Sequence, residues 1–88
     1  MRVRVRLLGS LRQPSAPREI VYDLPGGSDV SALTQRIVGD YPKLAGVLDG
    51  VGNLVMLNGV EVGNLEGHGT KLGDDAEVVF VPVTHGGR

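Results

Sequence analysis

The sequence has no cysteine and no tryptophan, and aromatic residues make up only 3% of it. The lack of cysteine excludes disulfides, thiolate metal ligands, iron–sulfur clusters and a cysteine nucleophile. The net charge of −1 argues against a chain that serves as a whole as a counterion for nucleic acid or an anionic membrane. No apolar run approaches the roughly 20 residues that a membrane-spanning helix needs. We therefore expect a cytoplasmic protein that binds neither a membrane nor nucleic acid.

The usual signs of an enzyme are also missing. The Gly26-Gly27 pair is not followed by the lysine of a phosphate-binding loop. His68 and His85 are too few and too far apart for a metal site. Asp74 and Asp75 stand in a Gly-Asp-Asp turn, which favours turn chemistry over a catalytic carboxylate pair. We expect no catalytic residue, no metal and no bound cofactor.

The first half of the chain predicts a hairpin followed by a helix. Residues 2–8 alternate arginine with valine or leucine, the two-residue period of a strand with one buried face. Residues 18–24 predict a second strand. Ser28 is placed to cap the helix that follows. The apolar stripe of that helix is Val30, Leu33 and Ile37.

The second half of the chain predicts three more strands and a tail. Residues 54–57 and 60–62 flank Asn58-Gly59, a strong signal for a tight hairpin, and residues 76–83 form the last strand. A short helical turn is expected within 43–48. This order predicts an α+β fold, with one helix across a mixed sheet of four or five strands. The predicted domain covers residues 1–83, and residues 84–88 form a flexible C-terminal tail.

The last predicted strand is apolar on both faces. One face carries Val79, Val81 and Val83, and the other carries Val78, Phe80 and Pro82. A single helix covers only one side of a sheet, so this strand is either central and fully buried or open on one face. We predict that Phe80 and Pro82 lie on the open face as a docking surface. The arginines of the first strand would share that face, as solvated side chains or as a basic rim, at Arg2, Arg4 and Arg6.

The tail is Thr84-His85-Gly86-Gly87-Arg88. Glycine has no Cβ, so a Gly-Gly segment can enter a channel too narrow for other residues. Five extended residues span at most ~17 Å, enough to carry a carboxylate into a partner's site. A glycine-rich end is also typical of an idle terminus.

The sequence resembles the ubiquitin-like β-grasp sulfur carriers, which include the thiamine sulfur carrier, the small subunit of molybdopterin synthase and the ubiquitin-related modifier. The resemblance covers nearly the whole chain. Its segments are VRVRLLGSLR (3–12), SDVSAL (28–33), DYPKL (40–44), LNGVEV (57–62), LGDDAEV (72–78) and FVPVTHGG (80–87).

This resemblance implies that an ATP-dependent, E1-like activating enzyme adenylates the carboxylate of Gly87, with Gly86 beside it. ATP and magnesium belong to that enzyme. The acyl-adenylate then becomes a thiocarboxylate, for tRNA thiolation or cofactor synthesis, or it is attacked by a target-protein lysine. The implied partners are the activating enzyme, a sulfurtransferase or tRNA-thiolating enzyme, target lysines and a processing or deconjugating metalloprotease. Partner binding would fall on Phe80, Pro82, Thr84 and His85.

Two features depart from the family pattern. The molybdopterin-synthase subunits usually carry Pro-Pro-Val-x-Gly-Gly, whereas His85 before the glycines is closer to the ubiquitin-related modifier. This favours tRNA thiolation or protein tagging. The family also implies glycine at the end, so Arg88 is expected to be removed by processing or to be an added residue.

Two other functions stay open at this stage. One is a protein-interaction module of the same fold with an idle tail. The other is an RNA-binding domain that uses the arginines of the first strand, although aromatic residues for base stacking are scarce.

Overall fold

The computed structural model describes residues 1–48 and 52–83. Within them the chain forms five strands and one α-helix: β1 (Arg2–Leu7), β2 (Ile20–Asp23), α1 (Val30–Asp40), β3 (Asn53–Leu57), β4 (Val60–Glu61) and β5 (Ala76–Pro82). The predicted α+β architecture is confirmed, with element ends displaced by one or two residues. The helical turn expected within 43–48 is a 3-10 turn at Pro42–Leu44. No helix in the described part of the chain is long and apolar enough to cross a membrane.

The five strands form one sheet in the order β2-β1-β5-β3-β4. The central pair, β1 and β5, is parallel, and every other pair is antiparallel. Asn58 and Gly59 join β3 to β4 with φ values of 49° and 86°, the positive pair that a type I′ hairpin turn requires. The hairpin predicted from the Asn-Gly pair is thus confirmed.

The helix begins one residue later than the sequence indicated. Asp29 is the N-cap, and its Oδ1 accepts a hydrogen bond from the Ala32 backbone N–H at 2.9 Å. Ser28, the predicted cap, instead donates from Oγ to the Pro25 carbonyl at 2.7 Å. The prediction of Ser28 as cap was wrong because the Pro-Gly-Gly turn already engages its hydroxyl.

One hydrophobic core lies between α1 and one face of the sheet. The helix contributes the predicted stripe of Val30, Leu33 and Ile37, each fully buried. The sheet contributes the alternate residues of its two central strands, which are Val3, Val5, Leu7, Ala76, Val78 and Phe80. The opposite face of the sheet has no helix over it in the described part of the chain. It is called the outer face below.

Candidate docking surface

Burial alternates along β5, and it assigns the inner and outer faces. Val78 and Phe80 are 0% exposed, whereas Val79 and Val81 are partly exposed. The prediction that Phe80 lies on the open face was therefore wrong. Phe80 is the largest fully buried side chain among the described residues, so it belongs to the core and not to a docking surface.

The register of β1 against β5 explains this outcome. Leu7 is paired with Phe80 and Val5 with Val78, so the buried alternation of β1 continues into β5. The arginines of β1 are paired with the other set: Arg6 lies beside Val79. The sequence had suggested that these arginines share a face with Phe80, and the register shows that they do not. Sequence reasoning missed the signal given by Glu77. This residue has the same parity as Val79 and Val81, and a charged side chain indicates the solvent-exposed face of a strand.

An apolar patch occupies the outer face where β5 meets β3. Leu54 is paired with Val81, and Met56 with Val79. Directly paired residues of antiparallel strands project to the same side, so these four side chains are neighbours. Leu54 is 36% exposed, and the other three are partly exposed. These residues, Leu54, Met56, Val79 and Val81, are called the outer patch. A contiguous apolar group of this kind on an open sheet face is a candidate interaction surface.

Charged side chains surround the outer patch unevenly. The Arg4 guanidinium lies among three carboxylates, at 3.7 Å from Glu19, 3.3 Å from Asp75 and 3.8 Å from Glu77. Its charge is therefore neutralised within the domain. Arg6, directly beside the patch, forms no ion pair with any residue of 1–48 or 52–83. Arg2 likewise forms no ion pair within these ranges but lies at the other end of β1, so Arg6 is the member of the predicted basic rim that offers an unpaired charge beside the patch.

The C-terminal end of β5 is held from both sides. The Leu8 N–H donates to the Phe80 carbonyl at 3.0 Å, and the Val83 N–H donates to the Gly52 carbonyl at 2.7 Å. Pro82 is partly exposed and lies against Gly9, where an added Cβ would be 2.9 Å from the proline Cγ. Gly9 also has a φ of +55°, which side-chain-bearing residues rarely adopt. The chain is thus fixed to the domain as far as Val83.

The remaining predicted site residues lie outside the described residues. They are Thr84, His85, Gly86, Gly87 and Arg88. The activation site at Gly87, the partner contacts, the flexible tail and the removal of Arg88 accordingly stay predictions. Pro82 is described. It has the inner-face parity of Phe80, so the prediction that it lies on the open face was also wrong, although it is partly exposed at the end of β5.

The carboxylates considered as catalytic candidates are part of the turn before β5. Asp74 Oδ1 accepts a hydrogen bond from the Arg2 backbone N–H at 2.8 Å, and Asp75 receives one from Arg4 Nε. Both carboxylates tie this turn to β1, in agreement with the predicted turn chemistry. No group of three or more histidine and acidic residues in the described ranges could hold a metal ion.

Solved structures match the chain over almost its whole length. Small archaeal modifier protein 1 from Methanosarcina acetivorans is 26% identical, with a TM-score of 0.83 and coverage of 98% of this chain and 96% of that one. A putative molybdopterin converting factor subunit 1 from Pyrococcus furiosus is 24% identical, with a TM-score of 0.79 and coverage of 94% and 98%. A complex of subunits 1 and 2 of the molybdopterin-converting factor from Helicobacter pylori matches at 22% identity, with a TM-score of 0.63 and coverage of 99% and 100%.

No protein-family model matches the chain, and no curated protein matches it significantly. The structural matches nevertheless agree with the segments that carried the sequence resemblance. The chain has the ubiquitin-like β-grasp fold, and its similarity to the small archaeal modifiers and the molybdopterin-converting subunits is confirmed.

Proposed function

We propose that this chain is a ubiquitin-like sulfur carrier or protein modifier, and that an ATP-dependent activating enzyme adenylates its Gly87 carboxylate. The observation that carries the proposal is the end-to-end structural match to a small archaeal modifier protein. The Gly86-Gly87 pair follows the last strand by a few residues, where a carrier of this kind needs its reactive carboxylate.

The proposed chemistry needs no catalytic residue from this chain. A carboxylate is a poor electrophile, so its oxygen first attacks the α-phosphorus of ATP and pyrophosphate leaves. The resulting mixed anhydride carries AMP as a good leaving group. Hydrosulfide then attacks the Gly87 carbonyl carbon and forms a C–S bond, the C–O bond to AMP breaks with the electron pair leaving on AMP, and the product ionises to a thiocarboxylate. A lysine amine that attacks the same carbon gives an isopeptide instead.

The domain contributes docking and placement. The outer patch offers apolar area for the activating enzyme, and Arg6 beside it offers a charge for an acidic residue of that enzyme. The hydrogen bonds at Phe80 and Val83 fix the point from which the tail departs. The four residues 84–87 reach at most ~14 Å from there, so the enzyme must bind the domain close to its nucleotide site.

The partners that act after activation follow from the same chemistry. A sulfurtransferase or tRNA-thiolating enzyme would handle the thiocarboxylate, and target-protein lysines would receive the isopeptide. A metalloprotease would trim the tail or release conjugates. Because activation consumes ATP, we place the reaction in the cytoplasm. Sulfur delivery and protein tagging share one acyl-adenylate, so the outer patch would dock the activating enzyme in either case.

The deciding experiment compares a chain that ends at Gly87 with the chain that ends at Arg88. Each is incubated with the activating enzyme of the source cell, ATP and magnesium, and ATP–pyrophosphate exchange is measured. We expect exchange only with the Gly87 form, since in the longer form that carboxylate is part of a peptide bond. A displacement of ~1 Å at a reacting centre costs about 100-fold in rate. With a sulfur source, the intact mass should rise by the difference between sulfur and oxygen.

Two results would contradict the proposal. No exchange with either form, while the enzyme is active on another carrier, would reject activation at Gly87. Equal exchange with both forms would mean that Arg88 is a tolerated extension, and it would reject the proposal that Arg88 must be removed before activation.

The outer patch also suits a protein-interaction module with an idle tail, and the exchange assay separates the two functions. RNA binding has less support. Base stacking needs exposed aromatic residues, but Tyr22 and Phe80 are buried and Tyr41 is half-buried against the core. Arg4 is already paired within the domain.

A further inference from the structure

The chain has few amines that an activated carboxylate could acylate. It contains only two lysines, Lys43 and Lys71, and all its other basic side chains outside the histidines are arginines. A guanidinium remains protonated and does not act as a nucleophile at neutral pH. With the α-amine of Met1, the printed sequence therefore offers three primary amines.

Two of these amines are engaged in the fold. The Met1 α-amine donates to the Leu24 carbonyl at 2.6 Å and lies 3.4 Å from Asp23 Oδ1. Lys71 Nζ donates to the Gly27 carbonyl at 3.1 Å. Acylation of either amine must first break these contacts.

Lys43 differs from both. It is exposed on the 3-10 turn that follows α1, and its ammonium makes no hydrogen bond or ion pair with the residues of 1–48 and 52–83. The turn itself is firmly placed, because Leu44 beside it is buried and donates its N–H to the Tyr41 carbonyl at 2.9 Å. The structure thus presents an available amine on a fixed backbone.

Lys43 also lines a groove. The groove has a volume of about 380 Å³ and lies between residues 13–15 of the β1–β2 connection and residues 40–43 after the helix. This volume falls within the roughly 300–1,000 Å³ of sites that hold small ligands. A short, narrow peptide segment therefore has room beside the lysine.

The polar groups of the groove wall suit such a segment. The Tyr22 hydroxyl donates to Asp40 Oδ2 at 3.0 Å, which fixes the orientation of that carboxylate at the wall. Gln13 uses its side-chain amide N–H groups on the carbonyls of Leu11 and Arg12, so its own amide oxygen remains an acceptor. A carboxylate and an amide oxygen are acceptors for backbone N–H groups or for a histidine side chain.

We propose that this groove receives residues 84–87 of a second copy of the chain, and that Lys43 Nζ is the acceptor of its Gly87 acyl group. The inference rests on the proposed function, because it uses the same acyl-adenylate. The deprotonated amine attacks the Gly87 carbonyl carbon, so a C–N bond forms. The C–O bond to AMP breaks, AMP leaves with the electron pair, and the amine proton passes to water. The His-Gly-Gly sequence offers an imidazole for Asp40 and a backbone narrow enough to reach Nζ.

The test uses chains that end at Gly87, with the activating enzyme, ATP and magnesium but no sulfur source. Wild type should yield a linked dimer with twice the mass of the chain less one water, and a branched peptide should map to Lys43. Lys43→Arg keeps the charge and should abolish the dimer. Lys71→Arg is the matched control and should give the wild-type yield.

Pyrophosphate exchange, measured on the same samples, separates this inference from the proposed function. Exchange should be unchanged in both variants. Dimers linked through Lys71 or the α-amine, or exchange without any dimer, would overturn the role of Lys43 and leave activation intact. Absence of exchange in every chain would overturn both.

A chemical labelling experiment tests the amine comparison without any enzyme. At low doses of acetic anhydride, the full chain should be acetylated faster at Lys43 than at Lys71, because only Lys71 must first leave a carbonyl. Equal labelling of the two lysines would remove the structural basis of the inference.

Discussion

The inner and outer faces of β5 carry similar side chains in different surroundings. Val78 and Phe80 lie under α1 with no exposed surface, and Val79 and Val81 lie on the open side beside β3. Burial under the helix makes the first pair essential to folding. The second pair contributes less to stability and is available to a partner. A single strand thus carries buried and accessible side chains at alternate residues.

The largest effect should come from the inner face. Phe80→Ala removes a fully buried ring, and we expect a loss of about 3–5 kcal/mol in the free energy of unfolding. Urea denaturation followed by circular dichroism measures this loss. Val81→Ala is the control and should lose much less. Similar losses for the two variants would contradict the division between the faces.

Gly9 sharpens the comparison at the end of β5. Pro82 has inner-face parity but is partly exposed, and it rests on Gly9. Gly9→Ala should cost about 1–2 kcal/mol for the left-handed backbone, and the clash with Pro82 should add about 1 kcal/mol or more. Gly27→Ala is the control, since its φ is +85° but no atom lies within 4 Å of the added Cβ.

Thermal unfolding of the two alanine variants measures this difference. Combining Gly9→Ala with Pro82→Ala should relieve the added cost of the first change. Equal stability of the Gly9 and Gly27 variants would mean that Pro82 moves aside freely and does not hold the end of β5.

On the outer face, the effect should appear in binding. Val81→Asp should cost about 1 kcal/mol of stability but weaken binding to the activating enzyme by about 2 kcal/mol, a roughly 30-fold rise in Kd. Titration calorimetry of each variant with the activating enzyme measures this Kd. Val21→Asp makes the same change on an exposed valine of β2, on the same face but away from the outer patch. Equal Kd values for the two variants would exclude the patch as the docking surface.

The smallest effect should come from the ion pairs of Arg4, on the same face as the outer patch. Arg4→Gln removes three partly exposed ion pairs, and such pairs contribute about 1 kcal/mol or less. The loss should shrink at about 1 M salt, where charges are screened beyond about 3 Å. Arg6→Gln, without an ion pair in the described residues, should leave the unfolding free energy unchanged. A larger loss for Arg6→Gln than for Arg4→Gln would contradict this assignment.

Periodicity and turn chemistry were enough to predict most of the fold. The alternation in β1, the helical stripe and the Asn58-Gly59 turn each act over a few residues, so the sequence displays them directly. The faces of β5 were harder to assign, because both parities are apolar from Val78 onward. Only the charge of Glu77 indicates which of the two parities faces solvent. The N-cap shifted by one residue because Ser28 and Asp29 are both good caps and the preceding turn engages the first.

Features that join distant segments could not be predicted from local patterns. The approach of Gly9 to Pro82 depends on the parallel register of β1 and β5. The groove beside Lys43 depends on a loop and a helix end that meet only after folding. The sequence offers two equivalent lysines, and the structure distinguishes them by the contact of Lys71 with Gly27 and by the groove beside Lys43.

The central position of β1 and β5 has a consequence for synthesis of the chain. These strands are the first and last of the domain, and the hydrogen bond from Arg2 to Asp74 joins residues 72 positions apart. Such long-range pairing gives a high contact order and delays folding. While a ribosome is still making β5, the sheet lacks its middle strand and α1 has no complete surface to cover. We therefore expect interrupted chains to remain unfolded and open to proteolysis, so that an activating enzyme meets only domains whose synthesis has passed β5.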